Sequence, residues 1–133
     1  MSRAIASDEL SVGDVEKIWR EIGEIAVNYP LLECSECAIA MMQWLNSRGL
    51  SGTILLIRTR NWRRPFITSE RYGFNESITI NGKHYGVEVM GAVFDNLSRE
   101  GLPRSAWISD FSCPTGQVIV EEISLSDLLS LED

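Results

Sequence analysis

The chain has 133 residues, of which 44% are hydrophobic and 23% are charged, enough for one ordinary core and too few for two. Its net charge of −7 disfavours nucleic acids and anionic membrane surfaces as partners, because both bind surfaces rich in lysine and arginine. The N-terminal residues lack the apolar core of a signal peptide, and no run approaches the roughly 20 apolar residues of a membrane span. We therefore expect one cytoplasmic domain over residues 1–133.

Two helices are predicted in a helical part that covers about residues 11–48. Apolar residues recur at spacings of three and four over residues 11–27, which is typical of an amphipathic helix, and Pro30 prevents its continuation. From residue 35 to residue 48 apolar side chains occupy most of the helix circumference, so we expect this second helix to be largely buried. Ser35 is the predicted N-cap of the second helix, and Gly49 is predicted to follow its end.

A sheet part is predicted over about residues 53–123. The β-branched run TILLIRT at residues 53–59 indicates a strand, and residues 61–76 are predicted to form a long loop. A short helix is expected to open at Pro103, and a last strand at residues 117–123 is expected to precede a short helix at residues 125–131. This order predicts an α+β fold in which the buried helix packs on an antiparallel sheet.

A β-hairpin is predicted around Met90-Gly91. With a two-residue loop there, Val89 faces Ala92, and His84 and Asp95 become diagonal neighbours on one face, within side-chain reach. A single bulge would shift this register. The opposite face is the expected core side and carries Tyr85, Val87, Val89, Ala92 and Phe94.

Cys37, His84 and Asp95 are the candidate catalytic residues. Cys37 falls in the first turn of the buried helix, where unpaired N–H groups and the helix dipole favour a thiolate. A thiolate, an imidazole and a carboxylate that fixes the imidazole tautomer are the groups that a cysteine nucleophile needs for acyl transfer. Each residue also has an ordinary structural interpretation, as a buried thiol, a surface histidine and a turn aspartate.

The three cysteines leave another type of site open. An odd and small number of cysteines does not indicate a disulfide framework, and a redox pair is disfavoured because no βαβ pattern precedes the C-x-x-C motif. A zinc site with three thiolates and one imidazole is the rival hypothesis. Its ligands would be Cys34, Cys37, Cys113 and His84.

The segments CSECA at residues 34–38, NGKHYGVEV at residues 81–89 and VFDNLSREGLPRSAWISDF at residues 93–111 occur in this order along the chain. Together they resemble the papain-fold toxin 2 family of bacterial polymorphic toxin systems, over about residues 25–111. The resemblance implies a papain-like fold and a cysteine hydrolase without a cofactor. Such an enzyme would act on a protein substrate, as a protease or a glutamine deamidase.

The resemblance also implies a role for each candidate residue. Cys37 matches the nucleophile, His84 the general base and Asp95 the residue that orients the base. Asn96 is a second candidate for the orienting role, since papain itself uses an amide there. No glutamine precedes Cys37 to help hold the oxyanion, so backbone N–H groups at the helix start, helped by Asn28, are expected to replace it.

A toxin role would bring further partners. Delivery into a target cell and an immunity protein that caps the cleft are expected by analogy with the family, whereas the short N-terminal segment also fits a freestanding relative or a fragment. The alternative to an enzyme is a non-catalytic papain-like module with a misaligned triad. Such a module would bind a partner through an apolar groove near Trp62, Phe66 and Trp107.

Overall fold

The computed structural model describes residues 10–61, 63–73, 76–114 and 116–131. Within these ranges the helices are α1 (Val12–Ala26), α2 (Cys34–Ser47), α3 (Arg104–Ser109) and α4 (Leu125–Leu131). The strands are β1 (Thr53–Arg58), β2 (Thr68–Ser69), β3 (Lys83–Val89), β4 (Ala92–Asp95), β5 (Ser98–Leu102), β6 (Phe111–Ser112) and β7 (Ile119–Ile123). A 3₁₀ turn spans Glu70–Tyr72.

Five strands form an antiparallel sheet in the order β5-β4-β3-β1-β7, and β2 and β6 form a second, two-stranded sheet. Helix α2 packs on β3, α1 packs on β4 and β5, and α4 packs on α2. The fold is therefore α+β with a buried helix on an antiparallel sheet, as predicted.

The larger sheet has a hydrophobic core on each face because alternate residues of its strands point in opposite directions. The core beneath α1 and α2 includes Ile22, Met41, Leu45, Ile54, Tyr85 and Val87. The core on the other face lies beneath α3 and the small sheet and includes Leu55, Ile57, Ile67, Val93, Trp107 and Phe111. Both faces of the central strands are consequently shielded from water.

The hairpin register predicted from Met90-Gly91 is confirmed. Val89 pairs with Ala92, and both turn residues have positive φ angles, 51° at Met90 and 88° at Gly91. Two consecutive positive φ angles define the tight turn that matches the twist of antiparallel strands. The register places alternate residues of β3 and β4 on the same face of the sheet.

The predicted N-cap of the second helix is wrong by two residues. Helix α2 begins at Cys34, its N-cap is Glu33, and the Ser35 hydroxyl donates to the Glu36 carboxylate instead of capping the helix. The Glu33 amide donates to the Pro30 carbonyl at 3.1 Å, which closes a turn that directs the chain into the helix before Ser35. Both cysteines of the C-x-x-C motif therefore lie inside the first turn.

The predicted loop at residues 61–76 contains ordered structure. Strand β2 pairs Thr68 with Ser112 and Ser69 with Phe111, and the 3₁₀ turn follows directly. Only the pairing with β6, more than forty residues away in sequence, makes this segment a strand. Among the described residues no helix is long and apolar enough to cross a membrane.

Candidate active site

His84 and Asp95 form a buried pair on adjacent strands. The side chains are 1% and 2% exposed, and Nε2 of His84 lies 2.9 Å from Oδ2 of Asp95. They project from β3 and β4 on the face that carries Trp107 and Phe111. The structure therefore brings together two of the three candidate catalytic residues.

Asp95 is held by four other hydrogen bonds. Its carboxylate accepts from Trp107 Nε1 at 2.8 Å, from the Leu97 amide at 3.1 Å, and from Nη1 and Nη2 of Arg71 at 2.9 and 2.8 Å. Burial alone would raise the pKa of Asp95, but hydrogen bonds and charge interactions with His84 and Arg71 hold that pKa well below its usual range. Asp95 is therefore a fixed carboxylate in hydrogen-bond contact with the imidazole.

Two aromatic rings pack against the imidazole. The Trp107 and Phe111 ring centroids lie 6.2 and 5.2 Å from that of His84. Gly86 permits this arrangement, since a Cβ there would come within 2.6 Å of Trp107 Cζ2. The absence of a side chain at Gly86 allows Trp107 to approach β3 closely enough to donate to Asp95.

The imidazole of His84 is unusually basic. Burial would lower its pKa, but hydrogen bonding to Asp95 and the nearby Cys34 thiol outweigh burial and raise the pKa to about 9. Because Asp95 occupies Nε2, the other ring nitrogen, Nδ1, remains; it is buried and has no hydrogen-bond partner among the described residues. Nδ1 is thus the nitrogen available to a nucleophile.

Cys34 is the cysteine beside His84. Its Sγ lies 4.0 Å from the Lys83 carbonyl, which brings the N-terminus of α2 to the start of β3. The thiol is close enough to raise the pKa of His84 although it forms no hydrogen bond with normal geometry to Nδ1. Nucleophile and base are often loosely aligned until substrate binds, so this geometry is compatible with proton transfer.

Cys37, the predicted nucleophile, has a different environment. It is 1% exposed, and burial, together with the negative charge of Asp95 and the neighbouring Cys34, raises the pKa of its thiol to about 12. A thiol with this pKa is protonated and unreactive at neutral pH. Cys37 is therefore a buried, protonated thiol, whereas Cys34 is the cysteine that lies beside His84.

Cys34 opens onto a small surface hollow of about 140 Å³. The hollow is lined by Leu32, Cys34, Ser35, Glu36, Ile78, Thr79, Ile80 and Asn81. Two hollows of about 500 Å³ lie elsewhere, and neither contains a candidate catalytic residue. We place the candidate site at the smaller hollow because it is lined by Cys34, the thiol that lies beside the buried His84.

The two secondary candidates serve other parts of the structure. Asn96 donates from Nδ2 to the Pro30 carbonyl at 2.8 Å and so anchors the turn before α2, whereas Asp95 holds the imidazole. Asn28 is exposed and donates to the Glu24 carbonyl of its own helix at 3.2 Å. The structure therefore supports neither Asn96 as the orienting group nor Asn28 as an oxyanion ligand.

The zinc hypothesis is wrong for the part of the chain that the structure describes. Cys113 lies in an isolated bridge with Gly116 and directs its thiol to the Gly116 carbonyl at 3.4 Å. No group of three or more His, Cys, Asp or Glu residues that could hold a metal ion occurs among the described residues. The three cysteines and His84 thus do not assemble into a tetrahedral site.

The apolar groove expected for a binding module is not present as predicted. Trp107 is 0% exposed and lies in the core, so it cannot line an open groove, while Phe66 is 53% exposed. Trp62 lies outside the described residues. The buried position of Trp107 is explained by its hydrogen bond to Asp95.

Arg71 and Asp110 are site residues that the sequence did not reveal. Arg71 lies in the 3₁₀ turn of the segment predicted to be a loop, and its Nε donates to Asp110 at 2.9 Å while its terminal nitrogens bind Asp95. Asp110 also accepts from Ser69 Oγ and from the Arg71 amide. No motif marks this cluster, because its members lie on three segments that only the fold brings together.

Comparison with known proteins identifies the family. A family model described as Papain fold toxin 2 matches residues 17–112, a range that includes both cysteines of α2, His84 and Asp95. No curated protein and no solved structure matches the chain. Because the family model matches well over half of the chain, the chain belongs to the papain fold toxin 2 family.

Proposed function

We propose that this chain is a cysteine hydrolase that acts on a protein substrate, with Cys34 as nucleophile, His84 as general base and Asp95 as the orienting group. The observation that carries the proposal is the position of His84, which binds Asp95 through Nε2 and leaves Nδ1 available beside the Cys34 thiol. This arrangement supplies all three groups needed for acyl transfer by a thiol.

The reaction begins when the Cys34 thiol loses its proton, either to water beside the His84 imidazolium or to Nδ1 in molecules whose His84 is neutral. The raised pKa of His84 favours an imidazolium at neutral pH, and Asp95 stabilises its charge. The Cys34 sulfur then attacks the substrate acyl carbon. The resulting oxyanion can accept hydrogen bonds from amides of the first turn of α2, since the first helical bond is donated only at Cys37, to the Glu33 carbonyl at 3.0 Å.

Collapse of the tetrahedral intermediate produces a thioester on Cys34. The bond from the acyl carbon to nitrogen breaks, and the leaving nitrogen takes the proton from His84. Water then attacks the thioester after losing a proton to His84, and release of the acid returns that proton to the Cys34 sulfur. A peptide bond releases an amine and a glutamine side chain releases ammonia, so the same steps serve a protease and a deamidase.

Family membership supports a toxin role for this activity. We propose that the domain acts after delivery into a target cell and that an immunity protein caps the hollow at Cys34. The small size of this hollow fits an extended chain or one side chain entering it better than a large ligand. The delivery route and the target protein are not specified by the site.

The first experiment is alkylation by iodoacetamide at neutral pH, with the modified cysteine located by tandem mass spectrometry. We expect Cys34 to react much faster than Cys37, and we expect His84→Ala to slow Cys34 substantially. Cys37→Ala is the matched control and should leave the Cys34 rate unchanged. Preferential labelling of Cys37 would favour Cys37 as the nucleophile. An alkylation rate of Cys34 that is the same in the wild type and in His84→Ala would favour the non-catalytic module.

The second experiment measures growth when the chain is produced inside bacteria. Cys34→Ser should relieve any growth inhibition, whereas Cys37→Ser should not, because only Cys34 is proposed to form the thioester. Proteomic comparison of the two strains then separates the reactions: new protein N-termini indicate a protease, and conversion of glutamine to glutamate indicates a deamidase. Equal toxicity of the wild type and Cys34→Ser would contradict the proposal.

A further inference from the structure

We propose that Arg71 is a positioning residue for this reaction, whose guanidinium fixes Asp95 against His84 and limits how tightly the carboxylate retains the imidazole proton. The inference rests on the proposed function and deepens it by adding a residue outside the triad. It concerns the charge balance around His84, so it can be tested without a substrate.

Arg71 is held in one orientation by groups on every side. Its terminal nitrogens bind both oxygens of Asp95, Nη1 also donates to Ser98 Oγ at 2.8 Å, and Nε donates to Asp110 at 2.9 Å. The side chain is 19% exposed, and its guanidinium lies 5.6 Å from the Phe111 ring centroid. A planar guanidinium that is hydrogen-bonded along two edges rotates little, so it can fix the position of the carboxylate that it binds.

Arg71 and His84 share one oxygen atom. Oδ2 of Asp95 accepts from Arg71 Nη2 at 2.8 Å and lies 2.9 Å from His84 Nε2. The guanidinium and the imidazole are therefore within roughly 6 Å of each other, a distance at which two positive charges repel appreciably inside a protein. Arg71 thus opposes the protonation of His84, while Asp95 favours it.

The remaining groups around the imidazole do not cancel this effect. Helix α2 contributes the thiols of Cys34 and Cys37, whereas α3 and β6 contribute the uncharged rings of Trp107 and Phe111. Asp110 is negative but binds the Nε edge of Arg71, with Arg71 between it and Asp95. The cluster of two carboxylates, one guanidinium and one imidazolium is neutral, and it gains a negative charge when the imidazole gives up its proton.

Loss of the Arg71 charge should therefore make His84 hold its proton more tightly. Coulomb's law at roughly 6 Å with a protein dielectric of about 20 corresponds to a rise of about one to two pH units in the titration midpoint of His84. An imidazolium that is harder to deprotonate protonates the leaving nitrogen less readily. Arg71 consequently keeps the His84 proton transferable while it preserves the geometry of Asp95.

The test is an NMR titration of the His84 ring, whose signals are unambiguous because the chain has a single histidine. Wild type is compared with Arg71→Met, which removes the charge, and with Arg71→Lys, which retains it. Arg99→Met is the matched control, since Arg99 pairs with Glu24 at the surface and is 59% exposed. We expect the midpoint to rise in Arg71→Met and to stay near the wild-type value in the other two variants.

A midpoint in Arg71→Met that is unchanged, or that falls toward the ordinary histidine value, would overturn the inference, because a merely structural role predicts one of these results. If Arg71→Met does not fold, Arg71→Met with Asp110→Asn removes both charges of the second ion pair, and a smaller upward shift is required, because the loss of the more distant Asp110 charge acts in the opposite direction. Alkylation of Cys34 in the wild type tests the proposed function separately. A raised midpoint together with an unreactive Cys34 would retain the role of Arg71 in charge balance and reject the hydrolase.

Discussion

The stability of this protein should decrease as pH rises through the range in which folded and unfolded His84 differ in protonation. The folded-state pKa of about 9 lies above the ordinary value of 6.5. Between these values the folded protein binds a proton that the unfolded chain releases, so the free energy of unfolding falls with increasing pH. The stabilisation is complete below the unfolded-state value and is lost as pH passes the folded-state value.

The size of the effect follows from the same two values. A difference from 6.5 to about 9 corresponds to about 3 kcal/mol, since each pH unit is worth about 1.4 kcal/mol when one proton is bound only by the folded state. This is a large fraction of the roughly 5 to 15 kcal/mol that stabilises an ordinary domain. The loss should therefore be measurable well before the protein unfolds at ambient temperature.

Urea denaturation followed by tryptophan fluorescence at several pH values between about 6 and 9 measures this change. His84→Gln is the reference because its amide can still donate to Asp95 but does not titrate. The raised pKa of Cys37 changes the free energy of unfolding mainly above about pH 9, and it does so equally in the wild type and in His84→Gln. Parallel stability curves for the wild type and His84→Gln would refute the reasoning, because they would show that His84 does not carry its proton into the folded state.

Three further predictions concern residues around the site. Gly86→Ala should lower the free energy of unfolding, measured in urea titrations, by about 1 to 3 kcal/mol, because the added Cβ would lie 2.6 Å from Trp107 Cζ2. An unchanged free energy of unfolding would mean that Trp107 moves easily. Trp107→Phe should lower the free energy of unfolding by about 1 to 3 kcal/mol, because the hydrogen bond to Asp95 is lost. It should also slow the alkylation of Cys34. A normal alkylation rate would show that Asp95 needs no support from Trp107. Asn28→Ala should leave the Cys34 alkylation rate unchanged, since its amide caps α1, and a slower rate would return Asn28 to the site.

Local patterns in the sequence were sufficient for the fold class and for the His84–Asp95 pair. A two-residue turn at Met90-Gly91 determines the register of its strands, and the alternation of side chains then places both residues on one face. The pair forms because these constraints act within a few residues along the chain. The burial of α2 was likewise predictable, since apolar residues surround most of that helix.

The choice between Cys34 and Cys37 depended on tertiary structure. Both thiols lie in the first turn of α2, and the composition of that turn does not reveal which one faces the start of β3. The answer depends on where the helix begins and on its rotation about its axis, which are set by the turn at Pro30 and by packing on the sheet. These contacts leave Cys34 beside His84 and bury Cys37 in the core.

The sequence by itself thus determined an α+β chain with a buried helix, a hairpin of known register and a histidine within reach of an aspartate. Only the tertiary structure decided which thiol meets that histidine and which residues support the aspartate. Arg71 reaches Asp95 across 24 residues of sequence and Asp110 across 39. Contacts over such separations leave no periodic pattern in the chain, because they form only after the sheet and the segments that pack against it are in place.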